Sequence, residues 1–555
     1  RRFLQLGSTL LAASSLDLLF SPSAVARAVS QAMPLFVALR PAKKGILTSA
    51  HWGAFEAIVE QGKMVGVQPV QDDPAPNELI EMAPWQVHAA NRITSPVVRK
   101  SWLENGPGSR NDLRGRDEWV KVSWEKAIQL VSDEIRRLQS AYGPSSIYAG
   151  SCGWKSTGML HNCRALLHRL MNLSGGFLSY SGDYSTGAAP VIMSHVVGST
   201  EVYDQQTTWP NVIDNSELVV LWGCNPYTTL KNSWNVPDHV GLEGFAALAK
   251  KGTRIITIDP INNPGSKQLN AEWIAPHAYT DAAMLLGIAH TLLSEKLHDE
   301  AFLQRYTTGF AQFRESLLGE HDGVAKTAEW ASTICGVEAE TLRQLARDMA
   351  KKRTMIMAGW GIQRQHHGEQ PHWLLVTVAA MLGQIGLPGG GFGFSYHYSS
   401  GGSPSAKGGI LSGISAGEAP QNSPVPVPVA RMADCLANPG KTIDYNGRQV
   451  TYPDVKMVYV AGGNPLVHQQ DTNNLRQAMQ HPETIVVHEP WWTPTAKFAD
   501  IVLPCTTSYE RNDMDMGGDY SQRYVFPMQQ CVPPQHEPRN DFDIFRDIAA
   551  RLGVE

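Results

Sequence analysis

Residues 218–226 read LVVLWGCNP and residues 457–465 read MVYVAGGNP. Each is an apolar run of strand length that stops at a small residue and an Asn-Pro turn. The likeness continues downstream. The first run is followed by a helical pattern over 242–250, then Gly252, a second apolar run at 254–258 and Asp259-Pro260. The second is followed by a helical pattern over 473–479, a run at 484–487 and His488-Glu489-Pro490. A third strand closes each unit, at 272–275 before Pro276 and Thr280-Asp281, and at 501–503 before Pro504 and Thr506-Thr507. Strands without polar alternation, joined by helices, predict parallel sheets buried on both faces and hence an α/β fold. Each unit reads as a nucleotide-binding half-sheet. Small residues at the strand's carboxyl end admit backbone amides to a phosphate, and the acid after the second strand accepts from ribose hydroxyls or a guanine edge. One such turn alone would be turn chemistry. Two with matched acids point to two dinucleotide-like sites.

The alternation begins upstream of both units. Ser123 caps a predicted helix to about residue 142, with Trp124, Ala127, Ile128, Val131, Ile135 and Leu138 as its apolar stripe and Gly143 at its end. A strand at 146–149 then runs into Gly150-Ser151-Cys152-Gly153. Residues 399–428, rich in Gly, Ser and Pro, predict a long surface loop. Within it, Gly413-Ile414-Ser415-Ala416-Gly417 fits the serine-hydrolase elbow, but Glu418-Ala419-Pro420 breaks the helix that the elbow requires. A hydrolase built on Ser415 is therefore disfavoured. Residues 541–555 predict an amphipathic helix with Phe542, Ile544, Phe545, Ile548 and Leu552 on one side.

Composition excludes more than it selects. The 555 residues leave room for three or four domains at roughly 150 residues each. With 43% hydrophobic and 18% charged residues, disorder and a polybasic chain are excluded. The balance of 47 Lys and Arg against 52 Asp and Glu suggests no nucleic-acid or anionic-membrane partner. The 7 cysteines form no C-x-x-C, which argues against a disulfide scaffold, a zinc ribbon or a cysteine-held iron–sulfur cluster in this chain. The 49 glycines and 35 prolines suit loops whose backbone approaches something closely. At the N-terminus, Arg1-Arg2, the apolar stretch from Leu10 to Phe20 and Ala26-Arg27-Ala28 form the parts of a twin-arginine export signal over 1–28. The apolar stretch contains Asp17 and is too short to span a bilayer.

Six further stretches carry a family resemblance: CGWKSTG (152–158), GDYSTG (182–187), EVYDQQ (201–206), WGIQRQ (360–365), LPGGGFGF (387–394) and ERND (510–513). With them, the chain from about Gly45 onward resembles the dimethyl sulfoxide reductase family of molybdopterin enzymes, nearest its trimethylamine-N-oxide and biotin sulfoxide reductases. The resemblance implies that Ser185 ligates molybdenum and that Trp154 and Tyr203 line the oxo group and substrate pocket. It implies contacts to one molybdopterin guanine dinucleotide from Cys152, Gly153, Lys155 and Ser156, with Thr228, Thr229, Ile258, Asp259, Thr280 and Asp281. Trp360, Gly361, Arg364, Asn464, His468, His488, Glu489, Arg511 and Asp541 match further contacts, chiefly to the second dinucleotide. Arg364 and Arg511 suit pyrophosphate or pterin through the guanidinium fork.

The implied activity is periplasmic oxygen-atom transfer from an N-oxide or S-oxide, giving amine or sulfide plus water, on molybdenum bis(molybdopterin guanine dinucleotide) without an iron–sulfur cluster or haem. The implied partners are a c-type cytochrome as electron donor, the twin-arginine export machinery and a maturation chaperone. The expected domains are an N-terminal β-rich unit at 42–95, one α/β unit from 96–205 with 440–555, a second at 206–395, and a Gly/Ser/Pro-rich loop at 396–439. Two departures stand out. Cys152 occupies the place of a tyrosine common in sulfoxide-reducing relatives, which favours N-oxides because a thiol donates more weakly than a phenol. Family members also continue beyond Asn540-Asp541-Phe542-Asp543 into a further domain that bridges the pterins, so the expectation includes a missing C-terminal domain and, as the alternative, a non-catalytic remnant.

Overall fold

The computed structural model describes residues 45–554 apart from 151–153, 155–157, 186, 205, 407–412, 518 and 519. The export signal expected over 1–28 lies outside the described residues. Both sequence repeats build the sheets expected of them. In the first sheet, Glu272–Ile274, Arg254–Ile258, Leu218–Trp222, Thr354–Ala358 and Gly391–Gly393 lie side by side in that order, all parallel. In the second, Ile501–Leu503, Thr484–His488, Met457–Ala461 and Ile147–Gly150 are parallel in that order. Val97–Arg99 and Trp119–Lys121 extend its other edge antiparallel. The shared order runs from the third strand of each unit to the second, then the first, then a strand from elsewhere in the chain. That reversal beside the first strand is a topological switch point, where the loops at the carboxyl ends part and leave a crevice.

Alternating residues of each strand enter separate cores. Leu218, Val220, Trp222, Ile356 and Ala358 pack under the helices Asp281–Ser294 and Glu369–Met381, while Val219, Leu221, Met355 and Met357 face the helix Gly241–Lys251. In the second sheet, Met457, Tyr459, Ala461 and Ile501 pack against Trp124–Tyr142, Cys163–Leu173 and Asp541–Leu552, and Val458, Val460 and Val487 pack on the opposite face. Ser123 caps its helix through the Lys126 amide and Gly143 ends it, as the sequence predicts. In the last helix Ile544, Phe545 and Ile548 are buried, but Phe542 is 42% exposed. It stands one turn-face away from the stripe that meets the other helices.

A three-stranded antiparallel sheet, Ile46–Ala50, Gly53–Glu60 and Lys63–Pro69, forms the N-terminal unit. It packs on the ribbon Asp513–Gly517 and Tyr524–Met528, with Phe526 buried among Leu47, Ala54 and Val70. The loop expected at 396–439 differs from a surface loop. Tyr396, His397, Ser399, Ser400 and Ser403 are buried, and Val427–Pro428 and Met432–Ala437 are a strand and a helix. Its small residues serve close packing: a Cβ on Gly402 would stand 2.7 Å from the Tyr396 ring, and the Gly402 carbonyl accepts from the Trp209 amide at 2.7 Å. Ser415 is exposed, with neither strand nor helix among the described residues beside it, and its hydroxyl accepts from the Gly417 amide. The hydrolase elbow is absent there. Among the described residues no helix is long and apolar enough to cross a membrane.

Candidate cofactor cavity

At the carboxyl edge of the second sheet a cavity of about 420 Å³ is lined by Gly462, Gly463, Asn464 and His468 from the first strand's loop, and by His488, Glu489, Cys505, Thr506, Trp154 and Asp541. Six of the residues expected to hold a cofactor thus share one space: Trp154, Asn464, His468, His488, Glu489 and Asp541. Asn464 turns the chain after its strand, and its side-chain oxygen accepts from the Thr495 hydroxyl at 2.6 Å. His468 Nε2 accepts from the Asn464 amide at 2.9 Å, which leaves Nδ1 buried without a partner. His488 stacks on Phe545 and links the Tyr459 hydroxyl, 2.8 Å from Nε2, to Asp541 Oδ1, 3.0 Å from Nδ1. Glu489 is buried beside them with no cation in contact among the described residues, and burial pushes its carboxyl up to about 8. Arg511 is buried just behind, donating to the Thr506 carbonyl at 2.8 Å.

The first sheet repeats the arrangement. Ile258 ends its strand and Asp259 follows, with Oδ1 accepting from the Ile261 amide at 2.8 Å and Oδ2 from Asn263 at 3.1 Å. Asn225 bonds Thr228 at 2.8 Å and the Gly265 amide at 3.3 Å, the counterpart of the Asn464–Thr495 link. Both asparagines therefore also do turn work, tying the first loop to the short helix after the second strand. Thr229 donates to the His397 carbonyl and Thr280 to the His277 carbonyl, each at 2.6 Å. Asp281, which opens the helix Asp281–Ser294, accepts from Trp222 Nε1 at 2.8 Å, and burial raises its pKa. At the switch point the backbones nearly touch: a Cβ on Gly359 would stand 2.0 Å from the Gly223 carbonyl oxygen. Trp360 donates to the Phe394 carbonyl, while a Cβ on Gly361 would meet open space.

Between the two units lies the loop of Tyr184 and Ser185. Gln363 Nε2 donates to the Ser185 carbonyl at 2.7 Å, and Arg364 donates to the carbonyls of Tyr184 at 2.9 Å and Ser185 at 3.3 Å. On the other side the Tyr184 hydroxyl donates to the Val429 carbonyl at 3.0 Å and to the Gln469 side chain. Arg364 thus ties the Ser185 loop through its carbonyls. Tyr203 is buried against Trp360, His372 and Phe394 rather than facing an open pocket, and its hydroxyl has no hydrogen-bond partner. Aromatic packing draws the ring inward and strands the phenol. Trp154 is half-exposed, 5.0 Å from the His51 ring. Cys152, Gly153, Lys155 and Ser156 lie outside the described residues.

A family model described as molybdopterin oxidoreductase matches residues 92–551, and one for the N-terminal domain of molybdopterin oxidoreductases matches residues 48–88. The chain belongs to the molybdopterin oxidoreductases. Among similar proteins, a trimethylamine-N-oxide reductase of Haemophilus influenzae is 53% identical over 94% of this chain and 64% of the relative. A dimethyl sulfoxide/trimethylamine N-oxide reductase of Cereibacter sphaeroides is 49% identical over 92% of this chain and 63% of the relative. Trimethylamine-N-oxide reductase 1 of Escherichia coli is 45% identical over 92% of this chain and 62% of the relative. The chain therefore spans just under two thirds of the length of these relatives. The solved acetylene hydratase of Pelobacter acetylenicus shares the fold, with a TM-score of 0.57 over 92% of this chain and 70% of that one, at 16% identity.

The residues present fit the molybdopterin cofactor that the family implies. Two buried carboxyl groups face a cavity, Nδ1 of His468 is unmatched within it, and open space adjoins Gly361 at the other sheet's edge. Sequence reasoning missed several residues of the site. His51, Gln86, Trp491 and Cys505 line the cavity from distant parts of the chain and carry no local signal. Gln363 stood in view inside the WGIQRQ stretch, yet nothing in its spacing announces that it holds the Ser185 loop.

Proposed function

We propose that this protein binds molybdenum bis(molybdopterin guanine dinucleotide) and reduces N-oxides, with S-oxides as the related class. The observation that carries the reading is the position of Ser185: one hydroxyl-bearing loop tied to the first dinucleotide-like unit by Gln363 and Arg364, and to the second by Tyr184. A metal held by two dinucleotides needs its protein ligand between two such crevices. When bound, the cofactor supplies two-electron chemistry, in which the oxide leaves as amine or sulfide and its oxygen, with two electrons and two protons, leaves as water. Ser185 would offer its oxygen to the metal, and Gln363 and Arg364 would hold that loop in place. Glu489, neutral while empty, and Asp541 would accept from the N–H edge of one guanine, and Asp259 and Asp281 would serve the other. Tyr203, buried against Trp360 and Phe394, would back the inner wall of the pocket through its ring. Trp154 would wall the pocket against water.

The names of the relatives support an oxide substrate, and the cysteine at position 152 favours the N-oxide. Electrons would come from an external c-type cytochrome, and export by the twin-arginine route would place the protein in the periplasm with its cofactor already inserted. The test is metal and nucleotide analysis of anaerobically purified protein, with reduced viologen oxidation by trimethylamine N-oxide, dimethyl, biotin and methionine sulfoxides. We expect about one molybdenum and about two guanine nucleotides per chain, and faster turnover of the N-oxide. Neither molybdenum nor guanine would mean a non-catalytic remnant. A Ser185→Ala variant that keeps full activity and an unchanged molybdenum spectrum would remove Ser185 as the ligand.

A further inference from the structure

Shortly after Trp154 in the chain, residues 158–161 are held by two acids of the ribbon. Asp513 Oδ1 accepts from the amides of Met159 at 3.0 Å, Leu160 at 2.9 Å and Met514 at 2.7 Å, and its Oδ2 accepts from the His161 amide at 3.0 Å. Asp515 Oδ2 accepts from the Gly158 amide at 2.9 Å. Three successive amides converging on one carboxylate make the concave nest that commonly binds phosphate, and here the chain's own side chain fills it. The fit is close: Gly158 has φ +114, and a Cβ there would stand 2.2 Å from Asp513 Oδ2. The ribbon that presents Asp513 is seated on the N-terminal sheet through Phe526, and that sheet's His51 meets the Trp154 ring. One small unit thus both holds the amides of residues 158–161 and meets the Trp154 ring.

We propose that Asp513 is a positioning residue for the substrate pocket, setting where Trp154 stands by holding the amides of residues 159–161. The inference rests on the reading of Trp154 as a pocket residue. Alanine at this position removes the carboxylate from all three amides and leaves only Met159 a second acceptor, the Met514 carbonyl at 2.8 Å. Asparagine keeps the shape and one carbonyl but turns an amide toward the His161 N–H, so it should restore only part of the function.

The test combines hydrogen exchange of the cofactor-free chain with turnover of the loaded enzyme per bound molybdenum, for Asp513→Ala and Asp513→Asn. Exchange at 159–161 should quicken by roughly tenfold or more in the alanine variant and less in the asparagine variant, with Leu218–Trp222 unchanged. The turnover number for N-oxide should fall by about tenfold with alanine and recover in part with asparagine, since small displacements of a pocket residue are costly. Unchanged exchange at 159–161 overturns the proposal, as does faster exchange with unaltered turnover. A wild-type chain that binds no molybdenum removes the functional reading and the role of Asp513 with it. An active wild type beside an unaffected alanine variant removes the role of Asp513 alone.

Discussion

Gln363 makes three bonds with one side chain: it donates to the Ser185 carbonyl and accepts from the amides of Ala188 at 3.1 Å and Ala189 at 2.9 Å. Removing it strips the amides of Ala188 and Ala189 of their acceptor and leaves the Ser185 carbonyl to Arg364 alone. Gln363→Ala should cost about 1–3 kcal/mol and lower oxide turnover per molybdenum, measured by thermal melting and steady-state rates. Glu489 makes a second prediction at this scale. Its folded pKa is raised by burial from 4.5 to about 8, so the folded chain holds a proton that the unfolded chain releases. Stability of the cofactor-free protein is therefore full below about 4.5 and falls as pH rises through about 8. Glu489→Gln should flatten that decline in melting temperature between about pH 5 and about pH 9; parallel curves for the two proteins would show that Glu489 does not titrate there.

The last helix shows how an element divides its labour. Asp541 opens it at the cavity wall, and Ile544, Phe545 and Ile548 bury its inner face against Trp124–Tyr142 and Cys163–Leu173. Phe542 belongs to the apolar count in the sequence but not to that face. Ile548→Ala should cost about 2–5 kcal/mol through the cavity it leaves, and Phe542→Ala should stay within about 0.5 kcal/mol, both read by denaturation. The strands of the two repeats were legible because they are apolar runs, most of them buried, that end in turn chemistry, and both are local properties. Val97–Arg99 and Trp119–Lys121 were not, because three-residue strands outside a repeat carry too little pattern to stand out from loops.

Across the whole molecule, the strand Val97–Arg99 and the loop after it are locked to the parallel part of the second sheet by charge. Asp500, fully buried, accepts from Arg99 Nε at 2.7 Å and from Arg114 Nη2 at 2.5 Å. Arg99 also reaches Asp117 at 3.2 Å. Asp500→Ala leaves the buried Arg114 guanidinium without a carboxylate and Arg99 with Asp117 alone, and should destabilise by about 3–5 kcal/mol, seen as a lower melting temperature and less folded protein.

The amino-acid sequence by itself determined the class of this protein, its paired strand–turn–helix units and the acids that follow their second strands. These depend on apolar runs, glycines and Asn-Pro turns acting over a few residues. Only the tertiary structure decided that the fourth strand of each sheet lies beside the first and opens a switch point. It also decided that Tyr203 turns inward, that Gln363 and Arg364 hold the Ser185 loop, and that Asp513 fills the nest at 159–161. Those outcomes depend on which buried faces meet and which distant amides are left to be satisfied, and no stretch of chain settles either alone.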